Sequence, residues 1–385
     1  MSTSCRCDRR RRIAILGATG SIGRNAVAVA AAHPERFEVE CVTCRSRSWL
    51  LREAAEKCHA AESFCRSDPQ PSTIGSEAQL EELLASDRVD VVLCAIQGVE
   101  ALPAVLAALR AGKTVALATK EVLVAAGGWV MDTARRHGGK ILPVDSEHCA
   151  IFQCLEGKDT RDVKRLWLTC SGGPFHFHPE LNLHEVTVEQ ASRHPAWDMG
   201  PKITLDSATL MNKAFEIMEA AWLYGVDQSR IGVVIHPQAV VHSMVEFIDG
   251  AVLAQLGPAD MKLPIQYCLT YPEKMPSMMA PLDFSRAMQL LFAPPDTTRF
   301  PALELARQAL CMGGLAGAVL NAANDAACAR FRRHSLAFDE IAPAVADALA
   351  ITPPGNADSL EAIGEAERLA WECVEHFAVR HTPRS

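Results

Sequence analysis

The sequence has no uninterrupted run of about 20 apolar residues, the length that a membrane-spanning helix needs. It also lacks an excess of basic residues, since 38 Lys and Arg stand against 46 Asp and Glu for a formal net charge of −8. That balance argues against a general nucleic-acid binder. We therefore expect a soluble cytoplasmic enzyme with neither a nucleic-acid nor a membrane partner, and 385 residues allow two or three domains.

We also expect no secretory signal, because no apolar segment follows the basic run Arg9 to Arg12. We expect this run to be a solvated tail, with the remnant of a targeting segment as the alternative. The 14 cysteines are scattered, and no second pair or histidine follows Cys41 and Cys44 at zinc-finger spacing. We expect the thiols to be reduced and mostly buried.

The first part of the chain alternates between strand-like and helix-like segments. Apolar runs at residues 13–16, 37–42, 89–95 and 114–118 are typical of strands, and residues 21–32 and 49–61 are typical of helices. This alternation predicts βαβ units and a parallel sheet.

The pattern changes from about residue 142. Strands at 165–169, 232–235 and 251–255 predict a mixed α+β domain, and recurring prolines between 271 and 300 predict an irregular connector. Ala-rich amphipathic segments at 301–332, 338–350 and 359–379 predict packed helices. We therefore predict a division into residues 1–142, a catalytic domain at 143–270, a linker at 271–299 and a helical domain at 300–385.

Gly17, Gly20 and Gly23 occur between the first strand and the first helix. Glycines let the backbone approach a pyrophosphate, which the N–H groups of the helix N-terminus then face. The spacing G-x-x-G-x-x-G departs from the more familiar G-x-G-x-x-G, so a tight turn without a ligand is the alternative. The position between strand and helix favours a dinucleotide site.

The second strand is followed by Arg45 and Arg47, whereas its acidic residue, Glu40, lies too early to grip a ribose 2′-hydroxyl. Cations at this position favour the 2′-phosphate of NADPH over NAD. Each arginine could instead be a solvated surface residue.

Carboxylates occur in two segments that are distant along the chain. Asp145 and Glu147 are two apart in a segment that we predict to be extended, so they would share a face. Glu216 and Asn212 are four apart in the predicted helix 206–216 and would also share a face. Hard oxygen ligands without cysteine suit Mg²⁺ or Mn²⁺ better than zinc. Solvated acidic loops are the alternative.

Ser171, Ser207, Asn212 and Lys213 could form a phosphate cradle, because a lysine beside hydroxyl and amide donors suits that anion. Ser207 could instead be a helix cap. Residues 193–200 resemble a mobile loop, in which Trp197 would either fold over a substrate and exclude water or anchor the core. We interpret His176, His178, His184 and His236 as structural.

Together these segments resemble the 1-deoxy-D-xylulose 5-phosphate reductoisomerase family. The matches keep their order over nearly the whole chain: residues 17–23, 110–114, 120–121, 142–148, 171–175, 193–195, 206–216, 235–238, 253–257 and 320–324.

The resemblance implies an α/β chain with a Rossmann-like NADPH-binding domain, an α+β catalytic domain and a C-terminal helical bundle, assembled as a homodimer. The implied activity is the NADPH-dependent isomerisation and reduction of 1-deoxy-D-xylulose 5-phosphate to 2-C-methyl-D-erythritol 4-phosphate, in the non-mevalonate route to isoprenoid precursors.

The resemblance also assigns site residues. The implied NADPH contacts are Thr19, Gly20, Ser21, Ile22, Glu121 and Gly200, and the implied metal ligands are Asp145, Glu147 and Glu216. The implied substrate contacts are Lys120, Ser146, Glu147, Ser171, His194, Ser207, Asn212, Lys213 and Glu216. Trp197, which we add to the substrate contacts, and Met199 would belong to a closing flap. We expect Lys120, Glu147 and His194 to be catalytic.

Two departures from the family bear on the cofactor. Thr119 stands where the family usually has Asn before the Lys-Glu pair, so its contact with NADPH is open. The 2′-phosphate loop is Cys44-Arg45-Ser46-Arg47, which keeps the positive charge in a different sequence.

Two other functions remain open at this point. A semialdehyde dehydrogenase would need a reactive thiol, for which Cys149 and Cys170 are the candidates. An NADPH-sensing module without catalysis would have no use for carboxylates beside a phosphate cradle.

Overall fold

The computed structural model describes residues 9–68, 72–193 and 200–378. The elements of the first 145 residues alternate in chain order: β1 (Arg11–Leu16), α1 (Ser21–Ala32), β2 (Phe37–Cys44), α2 (Ser48–Cys58), β3 (Glu62–Cys65), α3 (Glu77–Ala85), β4 (Val91–Cys94), α4 (Leu102–Arg110), β5 (Thr114–Leu117), α5 (Lys120–His137) and β6 (Lys140–Pro143). The later elements are α6 (Ser146–Leu155), β7 (Val163–Cys170), α7 (Val188–Ala191), α8 (Pro201–Ala208), α9 (Met211–Tyr224), β8 (Ile231–Ile235), β9 (Val241–Phe247), β10 (Val252–Leu256), α10 (Lys262–Thr270), α11 (Ala302–Met312), α12 (Ala316–Arg332), α13 (Ile341–Ala350) and α14 (Leu360–Glu375).

The chain divides into two compact units. The first comprises residues 1–119, 132–145 and 260–278, and the second comprises residues 120–131, 146–259 and 279–385.

The first unit is built on a six-stranded sheet in the order β3-β2-β1-β4-β5-β6, and each neighbouring pair is parallel. Its central strands are apolar and buried, as residues 13–16 illustrate, because helices cover both faces of such a sheet. The strand order is that of dinucleotide-binding folds, which bind their ligand where the order reverses, here at the ends of β1 and β4. The predicted parallel α/β sheet is confirmed.

The basic run near the start does not form a tail throughout, so that part of the prediction is wrong. Arg11 and Arg12 begin β1, where they pair with residues of β2. The Arg11 guanidinium donates to the carbonyl oxygens of Leu269 and Tyr271 at 2.8 and 2.9 Å. Arg12 forms an ion pair with Asp90 at 2.9 Å. A charged residue can start a strand when its head group leaves the sheet for such partners.

The second unit contains a mixed sheet in the order β10-β9-β7-β8, in which β7 and β8 are parallel and the other neighbours are antiparallel. The helices α11 to α14 pack against one another, and α12 is buried along most of its length. The α+β region and the C-terminal helices are therefore confirmed. The predicted helix 301–332 is in fact two helices, because Gly313 and Gly314 adopt positive φ angles between α11 and α12.

The cysteines match their expected state. The 12 that lie in the described ranges are thiols, and Cys41 and Cys44 are buried in β2. Within those same ranges, no helix combines the length and the apolar character needed to cross a bilayer.

Close packing of α12 against the start of α5 leads to a test of the fold. A Cβ atom on Gly317 would lie 2.0 Å from the carbonyl oxygen of Val124, which is backbone and cannot turn aside. We predict that Gly317→Ala destabilises the second unit by about 1–3 kcal/mol, as overpacking does. Thermal unfolding followed by circular dichroism would show a lower Tm.

Gly364→Ala in α14 is the matched control, because nothing lies within 4 Å of the Cβ position there. This substitution should leave the Tm unchanged or raise it, since alanine favours a helix over glycine by about 1 kcal/mol. An equal loss of stability in both variants would contradict the packing argument.

Candidate active site

The glycine-rich turn joins β1 to α1 in the first unit. Gly17 has a φ of +83°, and a Cβ atom there would lie 2.4 Å from the carbonyl oxygen of Ala95. A Cβ atom on Gly23 would lie 2.1 Å from the carbonyl oxygen of Gly17. Gly20 occupies the N-cap position of α1 without a side-chain cap, so an anion can approach the first N–H groups of the helix.

A cavity of about 260 Å³ opens beside this turn. Its lining includes four of the residues predicted to bind the cofactor: Thr19, Gly20, Arg45 and Arg47. Ser21 and Ile22 follow in the first turn of α1. Thr119 is buried at the end of β5, where its hydroxyl donates to the carbonyl oxygen of Ile96 at 2.5 Å. The first unit thus gathers most of the predicted cofactor residues at the carboxyl ends of its strands.

Carboxylates and ammonium groups meet in the second unit, between α6 and α9. One oxygen of Glu147 and one of Glu216 lie within 4.8 Å of each other. The Nζ atom of Lys213 contacts both, at 2.9 Å from Glu147 Oε1 and in a short contact with Glu216 Oε2. Glu216 and Lys213 are almost fully buried, so this ammonium group offsets much of the cost of burying Glu216 close to a second acid.

Lys120 and Asn212 complete the surroundings of Glu216. Lys120 Nζ lies 3.1 Å from Glu216 Oε1 and 2.9 Å from Asn212 Oδ1. Asn212 Nδ2 donates to the same Glu216 oxygen at 2.6 Å. The prediction that Asn212 and Glu216 share one helix face is therefore confirmed. We call Lys120, Glu147, Asn212, Lys213 and Glu216 the acid–lysine cluster.

Two local predictions about this cluster are wrong. Glu147 does not lie in an extended segment with Asp145, because α6 already begins at Ser146. Apolar residues at helical spacing after Glu147 are buried, and they favour the helix. The segment 206–216 is likewise two helices, because Leu210 takes a left-handed φ of 61° between α8 and α9. Asp145 is the residue directly before α6, at the end of a segment of the first unit.

The predicted phosphate ligands come from two neighbouring backbone segments. The turn at Ser171, Gly172 and Gly173 has positive φ at both glycines. A Cβ atom on Gly173 would lie 2.7 Å from the carbonyl oxygen of Ser207, so the turn and the end of α8 are in close contact. The structure therefore brings Ser171 near Ser207.

Buried groups behind the cluster went unrecognised in the sequence. His148 is fully buried, with Nε2 at 2.9 Å from the carbonyl oxygen of Glu216 and Nδ1 at 3.4 Å from Glu219 Oε2. Tyr224 donates its hydroxyl to the carbonyl oxygen of His148 at 2.6 Å. These contacts join α6 to α9. Glu219 is the one charged residue in the otherwise apolar stretch 217–223, and this was the available signal for it.

The helix that carries Ser207 is tied to α12. Lys202 and Asp206 of α8 form an ion pair, and Lys202 Nζ lies 3.1 Å from Asp325. Asn324 donates to Asp206 Oδ1 at 2.8 Å. Buried amide and acid groups of this kind need such partners. Asn324, in the segment 320–324, therefore has a structural role.

Other predicted residues have different outcomes. His194, Trp197 and Met199 lie outside the described residues. Gly200 is exposed at the N-cap position of α8. His236 is buried, and its Nδ1 lies 2.9 Å from the carbonyl oxygen of Leu291, in keeping with a structural role.

The thiols required by a semialdehyde dehydrogenase are unsuited to attack. Burial raises the pKa of Cys170 to about 11, and Cys149 is buried. A nucleophilic cysteine needs a lowered pKa and access to its substrate. The geometry does not favour this alternative.

Three family models match the chain, covering most of its length. The model for 1-deoxy-D-xylulose 5-phosphate reductoisomerase matches residues 13–127. The model for that enzyme's C-terminal domain matches residues 141–224, and a DXP reductoisomerase C-terminal domain model matches residues 256–373.

Individual proteins agree with these matches. A 1-deoxy-D-xylulose 5-phosphate reductoisomerase from Geobacter metallireducens is 44% identical over 374 residues, covering 94% of this chain and 97% of the relative. The structure of the enzyme from Zymomonas mobilis in complex with NADPH has a TM-score of 0.87 at 39% identity, covering 96% of this chain and 100% of that one. A crystal structure of DOX-P reductoisomerase with NADPH, fosmidomycin and magnesium has a TM-score of 0.87 at 37% identity, covering 95% and 97%. The chain belongs to the 1-deoxy-D-xylulose 5-phosphate reductoisomerase family.

Proposed function

We propose that the chain catalyses the NADPH-dependent isomerisation and reduction of 1-deoxy-D-xylulose 5-phosphate to 2-C-methyl-D-erythritol 4-phosphate, with a divalent metal ion. The observation that carries the proposal is the pair of carboxylates of Glu147 and Glu216, within 4.8 Å of each other and joined by the ammonium group of Lys213. The family match supports the same reaction.

The donors of the acid–lysine cluster fit a hard divalent cation. Glu147 and Glu216 offer carboxylate oxygens, which Mg²⁺ and Mn²⁺ prefer, and no thiol belongs to the cluster. The ammonium group of Lys213 lies between the two carboxylates and supplies positive charge there. We propose Glu147, Glu216 and Asp145, which directly precedes α6, as the metal ligands. The bound ion would supply a Lewis acid that polarises the substrate carbonyl.

The glycine-rich turn beside the cavity of the first unit supports a dinucleotide site there. Cβ atoms at Gly17 or Gly23 would collide with backbone, so the turn holds α1 close to the end of β1. The resulting N-terminus suits a pyrophosphate. We propose NADPH contacts at Thr19, Gly20, Ser21 and Ile22, with Arg45 and Arg47 toward the 2′-phosphate and with Thr119, Glu121 and Gly200 as further contacts. NADPH would supply the hydride.

Binding of the phosphate group would fix the orientation of the substrate. We propose that Ser171, Ser207, Asn212 and Lys213 bind it, which the close contact of the Ser171 turn with Ser207 supports. When a divalent cation balances Glu147 and Glu216, the ammonium group of Lys213 is available to the phosphate. Anchoring this end would hold the reacting carbons in one geometry while the skeleton rearranges by retro-aldol cleavage and re-aldolisation. We also propose that Trp197 contacts the bound substrate.

The remaining groups would transfer protons and contact a substrate hydroxyl. Lys120 donates to Asn212 and Glu216, so its ammonium group is held at the cluster. Ser146 donates to Glu147 in a short hydrogen bond, which can orient that carboxylate. We propose that Lys120, Glu147 and His194 are catalytic and that Ser146 contacts a substrate hydroxyl. Glu147 would take or return a proton, although coordination to a metal makes a carboxylate a weaker base.

Metal-dependent turnover tests the function directly. Oxidation of NADPH, followed by its absorbance, should require both 1-deoxy-D-xylulose 5-phosphate and Mg²⁺ or Mn²⁺, and EDTA should abolish it. Glu216→Gln should lower kcat/KM by about 100-fold or more, because even substitutions that only support a metal ligand cost about 10–100-fold. Mn²⁺ affinity, measured by electron paramagnetic resonance, should fall in parallel while the circular dichroism spectrum stays unchanged.

Glu361→Gln is the matched control, because Glu361 lies in the first turn of α14, on the C-terminal helices. It should keep full activity and Mn²⁺ binding. Thiol alkylation should also leave turnover intact, given the buried Cys149 and the raised pKa of Cys170. Normal activity in Glu216→Gln would remove Glu216 from the metal site, and turnover that survives EDTA but not alkylation would favour a thiol enzyme.

We also propose a homodimer, which the exposed edge of the second sheet supports. In the described part of that sheet, β10 pairs with β9 on one side, and the side chains of Val252 and Leu253 are exposed. Apolar residues at an edge strand favour pairing with another chain. Light scattering after size exclusion should give about twice the chain mass of 41.7 kDa, and Leu253→Glu should shift the mass toward the monomer. A monomeric wild-type chain would contradict the proposal.

The predicted domain boundaries and the location in the cell remain proposals. The four parts are residues 1–142, 143–270, 271–299 and 300–385. We propose the cytoplasm because the cysteines in the described ranges are thiols, the state that a reducing compartment maintains. Cell fractionation would test the location, and recovery outside the cytoplasmic fraction would contradict it.

A further inference from the structure

Two arginines lie side by side where β2 and β3 end. The two strands pair in parallel, with Cys44 beside Cys65 at the last position. The pairing continues beyond the strands, because the N–H of Arg66 donates to the carbonyl oxygen of Cys44 at 3.0 Å and the N–H of Ser67 donates to that of Arg45 at 2.9 Å. Arg45 and Arg66 are therefore neighbours across the ladder, and both line the cavity beside the glycine-rich turn.

A carboxylate bridges the two guanidinium groups. Glu100 Oε2 lies 2.9 Å from Arg66 Nη1, and Glu100 Oε1 lies 3.5 Å from Arg45 Nη1. Each carboxylate oxygen therefore contacts a different arginine. Adjacent cations repel each other, and an anion between them removes that cost. The arrangement is one in which two arginines hold a single oxyanion, as they do when they bind a phosphate.

We propose that Arg66 is a specificity-determining residue for the cofactor. Together with Arg45 it would bind the ribose 2′-phosphate, and Glu100 occupies that anion position until the phosphate displaces it. A cofactor without the 2′-phosphate has no charge with which to displace Glu100, so it gains nothing from either arginine. This inference rests on the proposed function, in which the cavity binds NADPH.

The energy of the exchange is modest, because the side chains of Arg66 and Glu100 are each 44% exposed. Exposed ion pairs contribute little, whereas a phosphate carries more charge than a carboxylate and offers more oxygens to the guanidinium fork. Arg66 also contacts Glu77 Oε1 at 2.6 Å through Nε, which fixes its direction. A phosphate should therefore bind the two arginines more strongly than the Glu100 carboxylate does. Removal of Glu100 should strengthen phosphate binding further.

Calorimetric titration of the full-length protein with adenosine 2′,5′-bisphosphate and with 5′-AMP tests the inference without turnover. The wild type should bind the bisphosphate more tightly than it binds 5′-AMP. Arg66→Met should weaken bisphosphate binding by about tenfold and leave 5′-AMP binding unchanged. Glu100→Gln should act in the opposite direction and strengthen bisphosphate binding several-fold. Arg10→Met is the matched control, because Arg10 pairs with Glu38 at 3.4 Å and does not line the cavity.

The outcomes separate the inference from the function beneath it. Failure of the wild-type protein to prefer the bisphosphate would overturn the proposed NADPH site, and the role of Arg66 with it. A wild type that prefers the bisphosphate, with Arg66→Met keeping that preference, would overturn the role of Arg66 alone. Equal weakening of bisphosphate and 5′-AMP binding in Arg66→Met would show that Arg66 maintains the shape of the cavity and does not recognise the 2′-phosphate. Weaker bisphosphate binding in Glu100→Gln would show that Glu100 does not compete for the site.

Discussion

The contact of the Lys213 ammonium group with the carboxylates of Glu147 and Glu216 is the interaction on which the acid–lysine cluster depends. Glu216 is buried and Glu147 is partly exposed; two carboxylates this close repel each other and lose hydration, so their proximity requires a compensating cation. Lys120 adds a second ammonium group on the other oxygen of Glu216. His148, Glu219 and Tyr224 join α6 to α9 beneath this contact and thereby hold the two acids together. Carboxylates held close in this way offer the oxygen ligands that a hard divalent cation prefers.

The first unit offers groups that suit the binding of an anion. Parallel strands end at one edge of the sheet, where Gly17 and Gly23 let α1 approach closely and where Arg45 and Arg66 lie side by side. The positive charge at this edge is balanced by Glu100. In both proposed sites, therefore, a side chain of the protein itself occupies the position that we propose for a ligand of the same charge.

The sequence was informative where one local rule decides the structure. The strand–glycine–helix pattern predicted β1, α1 and the parallel sheet, and helical spacing placed Asn212 beside Glu216. It was uninformative where distant contacts decide. The left-handed Leu210 divides a segment that we predicted as one helix, and Glu147 joins α6 because the apolar residues after it are buried. The position of Arg66 beside Arg45 follows from the pairing of β2 with β3, which the spacing of residues along the chain does not predict.

We propose that Glu147 and Glu216 hold a divalent cation. Anomalous X-ray diffraction from a crystal containing Mn²⁺ and 1-deoxy-D-xylulose 5-phosphate tests it most directly. We expect a manganese peak at coordination distance from both carboxylates, with the ammonium group of Lys213 moved away from them. Manganese bound elsewhere, while Lys213 still joins the two carboxylates, would contradict it.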